Sequence, residues 1–196
     1  METNERVRVG RKRSEASRTA ILEAALELVR TSGYDDVTAD AIAAHANVGK
    51  QTIYRWWGSV KEVMLEALRT SARTIPTPET GSLEGDVEAL FRGSFKLLKG
   101  TTGTGPVLKG LMADAQLDEA FLPFFRSFVE ERRATLRGVL RRHSRAGDLE
   151  IDAVVDMLYG ALWYRLLLGH GKLDAEFASL LGKNAARSLR AKGNDR

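Results

Sequence analysis

Thr38-Ala-Asp-Ala-Ile-Ala-Ala-His-Ala-Asn-Val-Gly-Lys-Gln-Thr-Ile-Tyr-Arg-Trp-Trp57 is the stretch on which the fold turns. Thr38 is a helix cap, and Ala41, Ile42 and Ala44 or His45 form the inner face of a short helix. A sharp turn then needs a residue that tolerates positive φ, and Asn47 stands there, its amide able to satisfy the local backbone. Gly49 is an acceptable, weaker cap for a second helix of about seven residues. That helix turns Val48, Ile53 and Trp57 inward and leaves Lys50, Gln51, Arg55 and Trp56 outward. Lys and Arg donate to guanine O6 and N7, and Gln pairs bidentately with adenine. Thr52 and Tyr54 suit phosphate oxygens. The plainer alternative is an amphipathic core helix with a solvated charged face.

Upstream, a helix is expected from Ser14, capped by Ser14 or Ser17, with Ile21, Leu22, Ala25, Leu28 and Val29 in helical spacing and Gly33 as its stop. Residues 1–13 carry Arg6, Arg8, Arg11, Lys12 and Arg13 against Glu2 and Glu5. Such a segment is expected as a flexible basic arm, either merely solvated or following phosphates into a minor groove. Downstream, Ser59 and Glu62 make an S-x-x-E capping box for a fourth helix through Val63, Met64, Ala67 and Leu68. Pro76-Thr-Pro-Glu-Thr-Gly-Ser82 breaks the pattern. The expected organisation is therefore an arm at 1–13, a helix-turn-helix unit at 14–75 and a second helical domain at 76–196.

Beyond the break the periodicity stays helical. A helix is predicted over about 83–99, with Val87, Leu90, Phe91, Phe95 and Leu98 as its stripe. Gly100 to Pro106 reads as a glycine-rich loop before a shorter helix through Leu108, Leu111 and Met112. Asp118 is expected to cap a long helix reaching about His143, kinked or started late at Pro123. Gly147-Asp148 turns the chain into a helix over about 151–168, and Asp174 caps the last, ending near Arg190. With no alternating β pattern, the class is all-α, of about nine helices.

Composition bounds the chemistry. The chain has 196 residues, 43% hydrophobic and 29% charged, enough for a sizeable core. Its net charge of +4 permits a polyanionic partner without requiring one. There is no cysteine, which excludes disulfides and thiol chemistry, and the three histidines, His45, His143 and His170, have no metal-ligand spacing. Neither a metal nor another cofactor is expected. No apolar run is long enough to span a membrane, and the N-terminus lacks an apolar signal region, so a cytoplasmic protein is expected. No clustered acid/base or nucleophile set suggests an enzyme; a lone Asp114 or His143 makes no site.

Arg18-Thr-Ala-Ile-Leu-Glu-Ala-Ala-Leu-Glu-Leu, Gly33-Tyr-Asp-Asp-Val-Thr38, Asp40-Ala-Ile-Ala-Ala-His-Ala-Asn-Val and Thr52-Ile-Tyr-Arg-Trp-Trp-Gly-Ser59 resemble, in order, the N-terminal domain of the TetR repressor family. The likeness covers about residues 14–70. Asn47 departs from the usual glycine, Gly49 from serine or threonine, and Val60 from a phosphate-binding lysine that neighbouring Lys61 could replace. The resemblance implies base contacts by Lys50, Gln51 and Arg55. Thr38, Thr52, Tyr54 and Trp56 would lie near the phosphate backbone of double-stranded DNA, as would Arg18.

One helix reads too few base pairs for genomic specificity, so a homodimer on a palindrome is expected. The family implies dimerisation through the last two long helices, here Leu158, Leu162, Arg165 and Leu166, with Gly160 and Ala161 permitting close approach. Arg165 inside such a helix calls for a carboxylate, across an interface or on a ligand. The family also implies a small-molecule effector. Candidate pocket residues are Phe91, Phe95, Leu111, Met112, Phe121, Phe124, Phe125, Phe128, Met157 and Trp163, which are equally readable as plain core. So few polar anchors suggest a bulky apolar or aromatic ligand. The function expected is a ligand-released repressor; alternatives are an architectural DNA protein, or an effector-binding or protein-interaction module with weak DNA binding.

Overall fold

A computed structural model describes residues 2–99 and 103–190, with side chains described over 14–99 and 103–189. The described residues form nine α-helices and no strand: α1 (Glu2–Ser32), α2 (Ala39–His45), α3 (Lys50–Trp56), α4 (Val60–Ala72), α5 (Leu83–Lys99), α6 (Thr104–Leu117), α7 (Leu122–His143), α8 (Asp148–Leu168) and α9 (Ala175–Arg190). The all-α class expected from periodicity is the one observed.

Local chemistry sets most of the boundaries. Gly33, at φ 94°, ends α1, its N–H bonding Val29 O at 3.0 Å. The Ser59 hydroxyl accepts from the Glu62 N–H at 3.3 Å while the Glu62 carboxylate accepts from Gly58 N at 3.2 Å, fixing the start of α4. Asp174 accepts from Phe177 N at 3.0 Å at the head of α9. Asp118 closes α6 and accepts from Ala120 N and Phe121 N, each at 3.1 Å, so α7 starts late, at Leu122.

Two boundaries differ from expectation. The backbone is helical from Glu2 rather than Ser14; the Arg- and Lys-rich segment contains no proline, and its residues favour a helix once one is nucleated behind it. The side chains of the expected basic arm lie outside the described ones. Helix α6 begins at Thr104, inside the expected loop. Pro106 falls in its first turn, where a missing N–H breaks no helical bond. Gly103 precedes it at φ 74°, so close to α1 that a Cβ would meet Leu26 O at 2.6 Å. Residues 100–102 of the expected loop lie outside those described.

The chain divides into two compact units, Met1–Thr70 with Thr101–Phe124, and Ser71–Gly100 with Phe125–Arg196. In the first, Ile21, Ala25, Ile42, Ile53, Val63, Leu68, Val107 and Leu111 are buried. In the second, one core joins α5 (Val87, Leu90, Phe91, Phe95), α7 (Leu136, Val139, Leu140), α8 (Ile151, Val154, Val155, Leu158, Leu162) and α9 (Phe177, Ala178, Leu181, Ala185). Helices α5 and α9 pack so tightly that a Cβ at Gly182 would meet Glu84 O at 2.4 Å.

Two polar devices fasten this second unit. Arg133, Arg137 and Arg141, one turn apart on α7, pair with Asp156, Asp152 and Asp148 on α8. As the α7 numbers rise by four the α8 numbers fall by four, the signature of antiparallel neighbours. Asp86, only 1% exposed, accepts from Thr80 N at 2.6 Å, Thr80 Oγ1 at 2.7 Å and Arg142 Nη2 at 3.0 Å, with His143 Nε2 at 2.8 Å. Burial alone would raise its pKa; hydrogen bonds from His143, Thr80 and Arg142 outweigh that and hold the carboxyl well below its ordinary value.

Candidate nucleic-acid interface

Helix α2 is capped as expected, with Thr38 Oγ1 accepting from Ala41 N at 3.2 Å. Its buried residues are Ala39, Ile42 and Ala43. The inner face is thus rotated from the expected Ala41, Ile42 and Ala44 or His45, because Val37 and Ala39 also turn inward at the helix entry. At its end Val48 N bonds Ala43 O at 3.0 Å and Asn47 N bonds Ala44 O at 3.3 Å. That is a Schellman closure, and Asn47 takes the left-handed position at φ 52°, the one non-glycine positive φ among the described residues. Gly49, extended at φ −73° and ψ 140°, caps α3 with no side-chain hydrogen bond.

Helix α3 is too short to be stable alone and is held by what it buries. Ile53 is fully buried and Trp57 nearly so, at 6%; burying an isoleucine side chain alone contributes about 1.5–3 kcal/mol. Opposite them, Lys50, Gln51, Tyr54 and Arg55 are exposed, while Thr52 and Trp56 are half-buried. Trp56 meets Trp57 edge-on at 5.5 Å, and the Arg55 guanidinium lies 5.3 Å from the Trp56 ring centre. Arg55 has no carboxylate partner among the described residues. It is a rigidly based cation with its donors free.

The other expected contacts are less free. Lys50 Nζ lies 2.7 Å from Asp40 Oδ2, and that hydrogen bond raises the ammonium's pKa. Arg18 Nη2 bonds Glu66 Oε1 at 3.0 Å and sits 5.8 Å from the Trp57 ring centre. Lys61 Nζ pairs with Asp118 Oδ2 at 2.9 Å and Asp114 Oδ1 at 3.5 Å, and lies 5.9 Å from the Phe121 ring centre. The Asp118 hydrogen bond, chiefly, raises its pKa. Asp114 also accepts from the Tyr34 hydroxyl at 2.6 Å; burial, then this bond, pushes the tyrosine pKa up. Sequence reasoning missed these acids, 57 residues away for Asp118 and 80 between Tyr34 and Asp114, since nothing local announces such pairing.

In the second unit the expected pocket residues are close-packed. Phe91, Phe95, Phe125 and Phe128 are buried and Trp163 is half-buried, with Phe91–Phe95, Phe95–Phe177, Phe125–Phe128 and Phe125–Trp163 in ring contact at 5.7–6.4 Å. Leu111, Met112 and Phe121 belong to the first unit, where Leu111 and Phe121 are buried. Phe124 is 49% exposed. A half-open cleft of about 550 Å³ does exist in the second unit, lined by Ser144 to Gly147, Glu150, Ala153, Val154, Met157, Ser188 and Leu189. Met157 alone of the expected residues reaches it.

The expected dimerisation set needs correction. Leu158 and Leu162 are each 3% exposed and belong to the chain's own core, which leaves them almost no exposed surface. From Met157 onward α8 is apolar on more than one face, and its outward stripe is Met157, Gly160, Tyr164, Leu167 and Leu168. Leu166 is half-buried. Arg165 has found no carboxylate among the described residues: Nη1 bonds Lys172 O at 2.7 Å and the guanidinium lies 3.5 Å from the Phe177 ring centre. Its charge is met by a carbonyl and a π face instead.

The described residues contain no group of three or more metal-ligating side chains and no helix long and apolar enough to cross a membrane.

Comparison with known proteins agrees with this architecture. Residues 21–68 match the family model described as bacterial regulatory proteins, tetR family, and residues 77–183 match that of the tetracyclin repressor-like C-terminal domain. An uncharacterised HTH-type transcriptional regulator of Bacillus subtilis strain 168, YdeS, is 34% identical over 93% of this chain and 94% of its own length. The DNA-binding transcriptional repressor TetR of Mycobacteroides abscessus is 28% identical over 86% and 91%. Among solved structures, the TetR family transcription regulator SCO0332 aligns with a TM-score of 0.73 at 28% identity, covering 88% of this chain and 98% of that one.

Proposed function

The chain belongs to the tetR family of bacterial regulatory proteins and is a helix-turn-helix transcriptional regulator; from that membership we infer that it represses transcription by binding a palindromic operator as a homodimer and is released by a small molecule. The observation that carries DNA reading is the exposed arc of Lys50, Gln51, Tyr54 and Arg55, set against the buried anchors Ile53 and Trp57. Arg55 offers two donors, and Gln51 one donor and one acceptor, at a groove floor, and Tyr54 and Thr52 reach phosphates. The likeness to a named repressor supports repression.

Dimerisation is supported by the outward stripe of α8. Met157, Tyr164, Leu167 and Leu168 are 46–63% exposed, and Gly160 between them has open space where a Cβ would stand. A contiguous apolar face of this kind marks an interaction surface, and an isologous contact across it supplies the second reading helix. Lys61 is read as a fastener of α6 to α4 rather than a phosphate contact, because two carboxylates and an aromatic face already hold it.

Selection of binding sites from random DNA, followed by anisotropy titration of the selected site against a scrambled one, tests this reading. A palindrome bound at least about a thousandfold more tightly than scrambled DNA is expected. Equal affinity for both would overturn it in favour of non-specific architectural binding. Sedimentation of the wild type and Tyr164→Glu checks the dimer: the variant is expected to sediment as a monomer and to lose the operator.

A further inference from the structure

Four basic residues gather where α7 leads into α8, and the fold engages three of them. Arg141 pairs with Asp148, and Arg142 and His143 both meet the buried Asp86. Arg145 is exposed and has no ion pair among the described residues. Glu150, five residues on, accepts from the Gly147 N–H at 3.2 Å and so serves the start of α8.

Arg145 lines the cleft of about 550 Å³, which lies between this connection, the first turns of α8 and the last turn of α9, all within the second unit. Small-molecule sites run from roughly 300 to 1,000 Å³. The apolar lining is Ala146, Ala153, Val154, Met157 and Leu189, with the hydroxyl residues Ser144 and Ser188 beside Arg145. Val154 is 4% exposed and Met157 56%, so this lining runs from the core out to the surface. The aromatic side chains of α7 are closed on one another; here the space is open.

On the effector-released reading above, we propose that this cleft is the effector's site and that the effector is an amphipathic organic carboxylate. Its acidic group lies on Arg145 and its apolar body against Val154, Met157 and Leu189. A guanidinium meets a carboxylate with two parallel donors, matching it in charge and shape. Methionine is unbranched and adapts to what lies against it. Met157 also belongs to the outward apolar stripe of α8, so a ligand in the cleft and a second copy on the stripe act on one side chain. Binding at either is thereby linked to binding at the other.

The test uses the full chain with three probes of one tail, decanoate, decanol and decylammonium, each below its aggregation threshold. Affinity is read by calorimetry, location by the methyl resonance of Met157, and operator affinity by anisotropy in the same samples. The wild type is expected to prefer decanoate over decanol by about fivefold, to shift the Met157 resonance, and to lose operator affinity by about fivefold or more on binding. Arg145→Gln is expected to lose the preference and keep the decanol affinity, and Arg145→Lys to keep part of it. Ser188→Trp, on an exposed position of α9, is expected to fill the cleft and weaken all three probes. No probe bound, decanol or decylammonium bound as well as decanoate, an unmoved Met157 resonance, or a preference retained in Arg145→Gln would each overturn the proposal. So would undiminished binding to Ser188→Trp, or decanoate that binds without loosening the operator. In any of these cases specific operator binding leaves the regulator reading standing, whereas a wild type that reads no operator fails that reading instead.

Discussion

Helices α3 and α7 are both rich in cations, and the molecule uses them in opposite ways. On α3, Arg55 lies against the half-buried Trp56, itself packed on the buried Trp57, with no acid beside it, and Gln51 and Tyr54 accompany it in the open. On α7, Arg133, Arg137 and Arg141 are each matched to an aspartate of α8. The first arrangement leaves donors for a polyanion; the second consumes them inside the fold. A net charge of +4 therefore says little, and the pairing of each cation says a great deal.

The sharpest way to break this contrast is to remove the platform and leave the charges. Trp57→Ala is expected to cost about 3–5 kcal/mol of stability in chemical denaturation and to abolish operator binding. Retained binding would mean that exposed cations suffice without the scaffold. Next in size, Asp86→Asn probes a buried acid on which Arg142, His143 and Thr80 converge, and is expected to cost about 3 kcal/mol at neutral pH. Because the folded carboxyl titrates below its unfolded value of about 3.9, its contribution is present above that value and lost as pH falls through the folded one. The gap in melting temperature between wild type and Asp86→Asn should stay constant down to about pH 5 and close below about pH 4; a gap unchanged at pH 3 would mean the carboxylate does not act through its charge.

The contrast is sharpened by a matched pair of arginines. Arg55→Ala is expected to weaken operator binding by about 1–3 kcal/mol in anisotropy titrations, while Arg137→Ala leaves it unchanged. A comparable loss from both would collapse the distinction between free and paired cations. The smallest effect concerns Asp40, which holds Lys50 in reserve. Asp40→Asn is expected to tighten operator binding a few-fold at low salt, with the gain fading as salt rises. Weaker binding would instead make Asp40 the residue that aims Lys50.

What the sequence made legible was local. Thr38, Asn47, Gly33, the Ser59–Glu62 box and Asp174 each act on backbone groups a few residues away, so their identities are enough to place them. The exposed arc of α3 was legible for the same reason, since Ile53 and Trp57 fix the phase of that helix. Helix α8 offered no such phase. From Met157 onward apolar residues lie on more than one side, and nothing in the pattern separates Leu158 and Leu162, which enter the core, from Met157 and Tyr164, which leave it. Long-range electrostatics were equally silent: Lys61 looked free until the fold carried Asp114 and Asp118 to it. The aromatic residues nominated for a pocket were correctly placed on helices, but close packing and cavity lining draw on the same residue types.

The arginine–aspartate ladder has one further consequence. Its rungs are four residues apart, a rise of about 6 Å along each helix. A slip of α7 against α8 by a single residue would unseat all three pairs together, and only a displacement near a full turn brings new rungs opposite one another. The two helices thus behave like a toothed rack that can engage or disengage but cannot creep. Movement within this unit that keeps the ladder intact must therefore be carried by α5 or α9, across the close glycine contact at Gly182, or by α7 and α8 travelling as one piece.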